Sequence, residues 1–202
     1  MAATYCAVML TNKGGPEALH VVELPVDPPG PGQLRVRVRA AGVGSTDLVM
    51  LAGRYRYAPK IPLVPGYEIA GVVDAVGTGV TGFEVGDRVA ALTVYGGFAE
   101  LLVREAGHFL PVPDGVSDRD AAAVILNYIT AWQMIHRVAK VQPGHTALVT
   151  GAAGGGRVEA DGSGEWSRDR ILAADHLSRA SCCRQFCAIS RNGSGSASTV
   201  GS

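Results

Sequence analysis

Along the first part of the chain, apolar and polar positions alternate with the period of a strand. In QLRVRVRAAG, Leu34, Val36, Val38 and Ala40 alternate with Arg35, Arg37 and Arg39, the pattern of a half-buried strand whose charged face is solvated. A loop dense in proline and glycine, VDPPGPG over 26–32, precedes it. The segments 70–76, 88–92, 98–103 and 109–112 are short, rich in β-formers and separated by Gly or Asp turns, so residues 1–116 predict a compact β-barrel and not a parallel sheet. The period then changes. Ser117 is placed to cap a helix, Asp118 and Asp120 fall in its first turn, and Ala121, Val124, Ile125, Tyr128, Ile129, Trp132 and Ile135 recur at three- and four-residue spacing. One amphipathic helix is predicted over 117–140, with His136, Arg137 and Lys140 at its negative end, before 142–144 turns the chain into a strand at 146–150.

That strand runs into six small residues, Gly151, Ala152, Ala153, Gly154, Gly155 and Gly156, a composition that lets backbone approach a pyrophosphate closely. Such a turn requires an apolar helix, a second strand and an acidic residue about twenty positions on. From Arg157 onward the sequence offers neither helix nor strand, and Asp169 and Asp175, at the right distance, follow no predicted strand. Composition breaks at the same place: residues 157–202 hold nine of the eleven serines and three of the four cysteines, and all three lysines precede them. This 157–202 segment is expected to be largely disordered, apart from a short helix over 170–179. A frame shift in a GC-rich gene, an artefact and a genuine divergent terminus each account for the break. The fold class expected is therefore mixed β and α/β: a barrel over 1–116, a linking helix and first strand of a doubly wound domain over 117–156, and a tail.

Composition narrows the partners. With 47% apolar residues, 18% charged and no net charge, the chain carries no electrostatic attraction for nucleic acid or an anionic membrane. It lacks a basic, apolar secretory start and any run of about eighteen apolar residues, so a cytoplasmic protein is expected. Cys6 stands alone, and Cys182, Cys183 and Cys187 read as incidental thiols more than as metal ligands.

The stretches VPGYEIAGVVDAVGTGV (64–80), FEVGDRVAAL (83–92), GGFAELLV (96–103), LNYITAWQMIHRVAKVQPG (126–144) and LVTGAAGGG (148–156) resemble the medium-chain dehydrogenase/reductase superfamily, and within it the zinc-independent quinone oxidoreductase branch. They cover about three quarters of the chain in the family's order. The resemblance implies a GroES-like barrel followed by a Rossmann domain, NADPH in the cleft between them, and a small quinone or enone as substrate; a homodimer is an option open to complete relatives. Zinc-dependent relatives place Cys and His where this chain has Gly44 and Tyr67, neither of which ligates zinc as they do, so no metal is expected. By resemblance, Thr130 faces the cofactor and the backbone of Gly151, Ala152, Ala153, Gly154, Gly155 and Gly156 meets its pyrophosphate. Thr130 has an equally simple reading as a hydroxyl bonded to its own helix backbone.

Ser45, Asp47 and Tyr67 are the substrate-cleft candidates, with helix-cap readings for Ser45 and Asp47 and a core-tyrosine reading for Tyr67. No acid/base dyad is visible, which suits a reductase that works by positioning while the nicotinamide carries the hydride. Relatives read AAGGVG where this chain has Ala152, Ala153, Gly154, Gly155, Gly156 and Arg157. The expectation is an NADPH-dependent quinone or enone reductase by family, inactive in this chain because its cofactor domain is incomplete. The alternative is a non-enzymatic fragment or interaction module built on the barrel.

Overall fold

The structure, a computed structural model, describes residues 3–142 and the strands Thr146–Thr150, Ile171–Ala174, Cys187–Ser190 and Ser198–Val200. The chain divides into two compact units, Met1–Ile125 and Leu126–Ser202.

In the first unit, β1 (Thr4–Leu10) and β2 (Leu19–Pro25) form an antiparallel hairpin. Strands β3 (Gln33–Gly42), β4 (Glu68–Val76), β5 (Arg88–Leu92), β6 (Leu101–Glu105) and β7 (Phe109–Pro111) form an antiparallel sheet in the order β6-β3-β4-β5-β7. Single bridges from Ala7 to Ala99 and from Leu10 to Leu63 tie the hairpin to the segments flanking that sheet. The alternation in β3 does what its pattern requires: Leu34 and Val36 are fully buried and pack with Ile69, Val73, Val89, Leu102 and Phe109. Each such side chain contributes about 1.5–3 kcal/mol of burial. The outer face of β3 is not simply solvated. Arg35 Nε and Arg37 Nη2 reach the two carboxylate oxygens of Asp74 on β4 at 2.7 and 2.9 Å. Burial alone raises the Asp74 carboxyl, but these two hydrogen bonds outweigh it and hold the group below its ordinary value.

A short helix, α1 (Ser45–Leu51), fills the connection from β3 to β4. Its Met50 and Leu51 join Leu10, Ala18 and Leu63 in a second cluster, against which Tyr55 and Tyr67 pack. A third cluster, Ala70 and Ala90 with Ala121 and Ala122, seats the start of α2 (Asp118–Trp132) on β4 and β5. Alanine on both sides lets helix and sheet backbones approach closely. Ser117 caps this helix as its sequence predicts, its Oγ accepting from the Asp120 amide at 3.1 Å. Arg88 on β5 fixes the first turn by donating to Asp118 Oδ1 at 2.7 Å and to the Val116 carbonyl.

Two expectations need correction in the helical segment. The helix over 117–140 is not uniform: after Trp132 it widens into a π-helical turn, Gln133–Val138, and it stops at Lys140, whose φ of 49° is left-handed. The apolar stripe is also narrower than its spacing suggests, since Val124 and Trp132 are exposed and the buried positions are Ala121 and Ala122.

The second unit contains a four-stranded sheet in the order β11-β10-β8-β9, built from β8 (Thr146–Thr150), β9 (Ile171–Ala174), β10 (Cys187–Ser190) and β11 (Ser198–Val200). The sequence expectation of a tail without a second strand is corrected here. Strand β9 runs parallel to β8 with Ala147 opposite Ile171, and 171–174 is strand where a helix was expected. Asp175 therefore follows a strand in the sequence, although it lies outside the described residues, as do Gly151, Ala152, Ala153, Gly154, Gly155 and Gly156. On its other side β8 meets β10 antiparallel, where a doubly wound sheet would place another parallel strand. The Rossmann domain is incomplete.

Candidate functional site

The candidate site is assembled by backbone at the start of α1 and in the loop before β4. Gly44 occupies the N-cap with extended backbone, and Asp47, at the third helical position, reaches back to accept the Gly44 amide at 2.9 Å. The other Asp47 oxygen accepts the Gly66 amide at 3.2 Å. One buried carboxylate thus pins the β3–α1 turn to the loop entering β4. Burial pushes the Asp47 carboxyl above its ordinary value, against the lowering effect of the Gly44 and Gly66 amides.

Gly66 is itself confined. Its φ is +105°, and a Cβ built on it would meet the backbone of Gly97 and Phe98, so only glycine fits. Its carbonyl accepts from the buried Thr93 hydroxyl at 2.7 Å and from the Gly97 amide at 3.1 Å. The next carbonyl, that of Tyr67, accepts the Thr93 and Val94 amides at 2.8 and 3.2 Å. Val94 holds a positive φ of 64°, costly for a β-branched residue, in the turn that makes this contact.

The Tyr67 ring, with its backbone so fixed, is half-buried and its hydroxyl stands 2.6 Å from the Tyr55 hydroxyl, the rings meeting edge to face at 5.8 Å. Tyr57 extends the aromatic group with a second edge contact to Tyr55. Burial, then the hydrogen bond and charge of Tyr55, then the charge of Asp47 push the Tyr67 phenol well above its ordinary value. The Tyr67 hydroxyl is therefore neutral at physiological pH. Only one proton lies between the two oxygens, which leaves the other hydroxyl proton free to donate outward.

Of the sequence candidates, the structure brings Asp47 and Tyr67 together across Gly66, with Asp47 as a structural tie and Tyr67 half-buried beside Tyr55. Ser45 is the first residue of α1 and exposed; neither it nor Asp47 is the cap residue, which is Gly44. The Thr130 Oγ1 donates to the Leu126 carbonyl of its own helix at 2.8 Å. The sequence reading missed Tyr55 and Thr93. Tyr55 lies in a loop without periodicity, and its partner is twelve positions on; the signal available was a cluster of three tyrosines, 55, 57 and 67, around a cleft candidate.

Fold and site define an alcohol dehydrogenase GroES-like domain, the family matched by residues 30–114. The chain is 38% identical over 149 residues to the human synaptic vesicle membrane protein VAT-1 homolog-like, covering 74% of this chain and 36% of that protein. The crystal structure of the same human protein superposes with a TM-score of 0.79 at 34% identity, over 85% of this chain and 55% of that one. Rat quinone oxidoreductase is 34% identical over 151 residues, 74% of this chain and 46% of the relative. A mycobacterial protein solved in complex with NADPH aligns at 32% identity with a TM-score of 0.75, over 86% of this chain and 54% of that one. The chain spans less than half the length of the two curated relatives. Residues 30–114 carry the alcohol dehydrogenase GroES-like domain, and the chain is similar to proteins of the quinone oxidoreductase-like branch of the medium-chain dehydrogenase/reductase superfamily.

Proposed function

We propose that this chain carries the substrate side of a zinc-free, NADPH-dependent quinone or enone reductase, in which the Tyr55–Tyr67 hydroxyl pair donates a hydrogen bond to the substrate carbonyl. The observation that carries the reading is the 2.6 Å contact between those hydroxyls, in a family whose relatives include a quinone oxidoreductase. Gly44 and Tyr67 stand where zinc-dependent relatives hold Cys and His, so polarisation of the carbonyl falls to hydrogen bonding. A half-buried phenol donor acts in lower dielectric than water and needs no rearrangement at the moment of reaction.

The cofactor side of this chain fits NADPH poorly. The Thr130 hydroxyl proton is engaged with Leu126, and β8 has an antiparallel neighbour where a doubly wound sheet places a parallel strand. The reading is therefore a substrate-side domain that does not turn over alone.

Titrating the chain with 1,4-naphthoquinone, followed by tyrosine fluorescence and NMR, tests the pair: saturable binding is expected, weakened by Tyr67→Phe and by Tyr55→Phe. Binding unaffected by either variant overturns the role of the pair. The same samples mixed with NADPH or NADH are expected to show no loss of absorbance at the reduced-nicotinamide band, and turnover would overturn the inactivity.

A further inference from the structure

A different part of the first unit carries a charge without a counter-charge. Arg104 on β6 is half-buried, with its guanidinium 4.8 Å from the Tyr95 ring centroid. Nη1 donates to the Val103 carbonyl and Nη2 to the Tyr95 carbonyl, each at 2.9 Å. Both acceptors are neutral. Arg35 and Arg37 share Asp74 and Arg88 holds Asp118, but among the described residues Arg104 forms no ion pair. Burial depresses its basicity, as expected for a cation withdrawn from water without an anion.

Arg104 faces a cleft of about 590 Å³, a size that suits a small organic ligand. Pro25, Pro62, Val64 and Leu101 supply apolar wall, and Tyr5 and Tyr95 line it too. Tyr5 and Arg104 line the same cleft; burial first, then the Asp27 carboxylate, raise the Tyr5 phenol above its ordinary value against the lowering charge of Arg104. It is a donor at neutral pH. A fixed cation, a phenol donor and an apolar wall on one cleft match a ligand with an anionic head and an apolar body.

We propose that this cleft binds a small organic monocarboxylate, its carboxylate held by Arg104 and the Tyr5 hydroxyl and its body lying against the prolines and the Tyr95 ring. Asp27, exposed and also lining the cleft, disfavours dianions, and the apolar wall gives no grip on an inorganic anion. None of Ser45, Asp47, Tyr55 or Tyr67 lines this cleft, so the site stands apart from the quinone reading.

Two-dimensional NMR of the 202-residue chain, titrated with sodium benzoate and with neutral benzamide, tests the proposal. Benzoate is expected to shift the amides of Tyr5, Val64, Tyr95 and Arg104 saturably, and benzamide to bind at least about tenfold more weakly. Arg104→Met is expected to lose benzoate by a similar factor, with partial recovery in Arg104→Lys. Should Arg104→Met fail to fold, the comparison of benzoate with benzamide on the unaltered chain still decides. Equal binding of the two, absence of saturable benzoate shifts up to about 20 mM, or inorganic phosphate binding as tightly as benzoate would overturn it.

Discussion

The Tyr67 hydroxyl is held 2.6 Å from the Tyr55 hydroxyl while the Tyr67 carbonyl receives the amides of Thr93 and Val94. The phenol is thus fixed from both ends, by backbone at one and by a second phenol at the other. From α1, Asp47 accepts the amide of Gly66, the residue before Tyr67, so a structural carboxylate anchors the short loop that carries the proposed substrate-facing hydroxyl.

Tyr67 is expected to titrate above the ordinary tyrosine value of 10.0, and its neutral form is the one that folding favours. With the folded value raised, the contribution to stability is complete below pH 10 and is lost as the pH rises through the folded value. Ultraviolet difference titration checks this. Tyr55→Phe, which removes the hydrogen bond but leaves burial, should lower the Tyr67 value without returning it to 10.0; no change on Tyr55→Phe would show that the hydroxyl contact does not form in solution.

Asp47 makes an acid-side counterpart. Its folded value lies above 3.8, so by itself it favours the fold at low pH and loses that contribution as the pH rises through the folded value. The amide resonances of Gly44 and Gly66 should both shift with an inflection above pH 3.8. Asp47→Ala removes the acceptor of both amides and leaves the Gly66 amide unpaired in a buried place, at a cost of about 2–4 kcal/mol; Asp47→Asn, which keeps one acceptor oxygen, should cost less. Equal losses in urea unfolding would contradict the two-amide tie.

Arg88 joins β5 to the first turn of α2 through Asp118 and the Val116 carbonyl. Both partners of the ion pair are about one third exposed, with side-chain exposures of 34% and 31%, so the charge contribution is small and screened by salt. Arg88→Met is expected to cost about 1 kcal/mol, with much of that difference vanishing in high salt. A loss that ignores salt would assign the effect to the Val116 contact instead.

How much of this was legible beforehand depends on the range of the interactions. The inward positions Leu34 and Val36, the strand at 88–92 and the Ser117 cap follow from neighbours within four residues, and the structure places each where its local pattern does. Strands β1 and β2 escaped because both are half-exposed ribbons with weak alternation, stabilised by pairing with each other. Strands β9 to β11, three or four residues each, have too few positions to show a period. Asp74 collecting Arg35 and Arg37 depends on the register of β3 against β4, which shifts between Arg35 and Val36. At the site, Asp47 and Tyr67 stood out by residue type, whereas the Gly66 amide that makes Asp47 structural is nineteen residues away. Their roles came from contacts that no local pattern encodes.

The glycine between them gives the sharpest mutational test. Gly66 has φ +105°, and a Cβ there would fall 2.7 Å from the Gly97 Cα and into the Phe98 amide. Gly79 also has positive φ, +79°, but nothing lies within 4 Å of its Cβ position. Gly79→Ala therefore isolates the backbone strain, about 1–2 kcal/mol, while Gly66→Ala adds displacement of packed backbone, a further 1–3 kcal/mol or so. Because the Gly66 carbonyl holds Thr93 and its amide holds Asp47, that displacement moves Tyr67 as well. Urea midpoints should fall further for Gly66→Ala than for Gly79→Ala, and the Tyr67 titration should drop toward the ordinary value only in the former. Equal midpoints with an unchanged Tyr67 titration would mean that the loop yields without cost and that the phenol is not positioned by it.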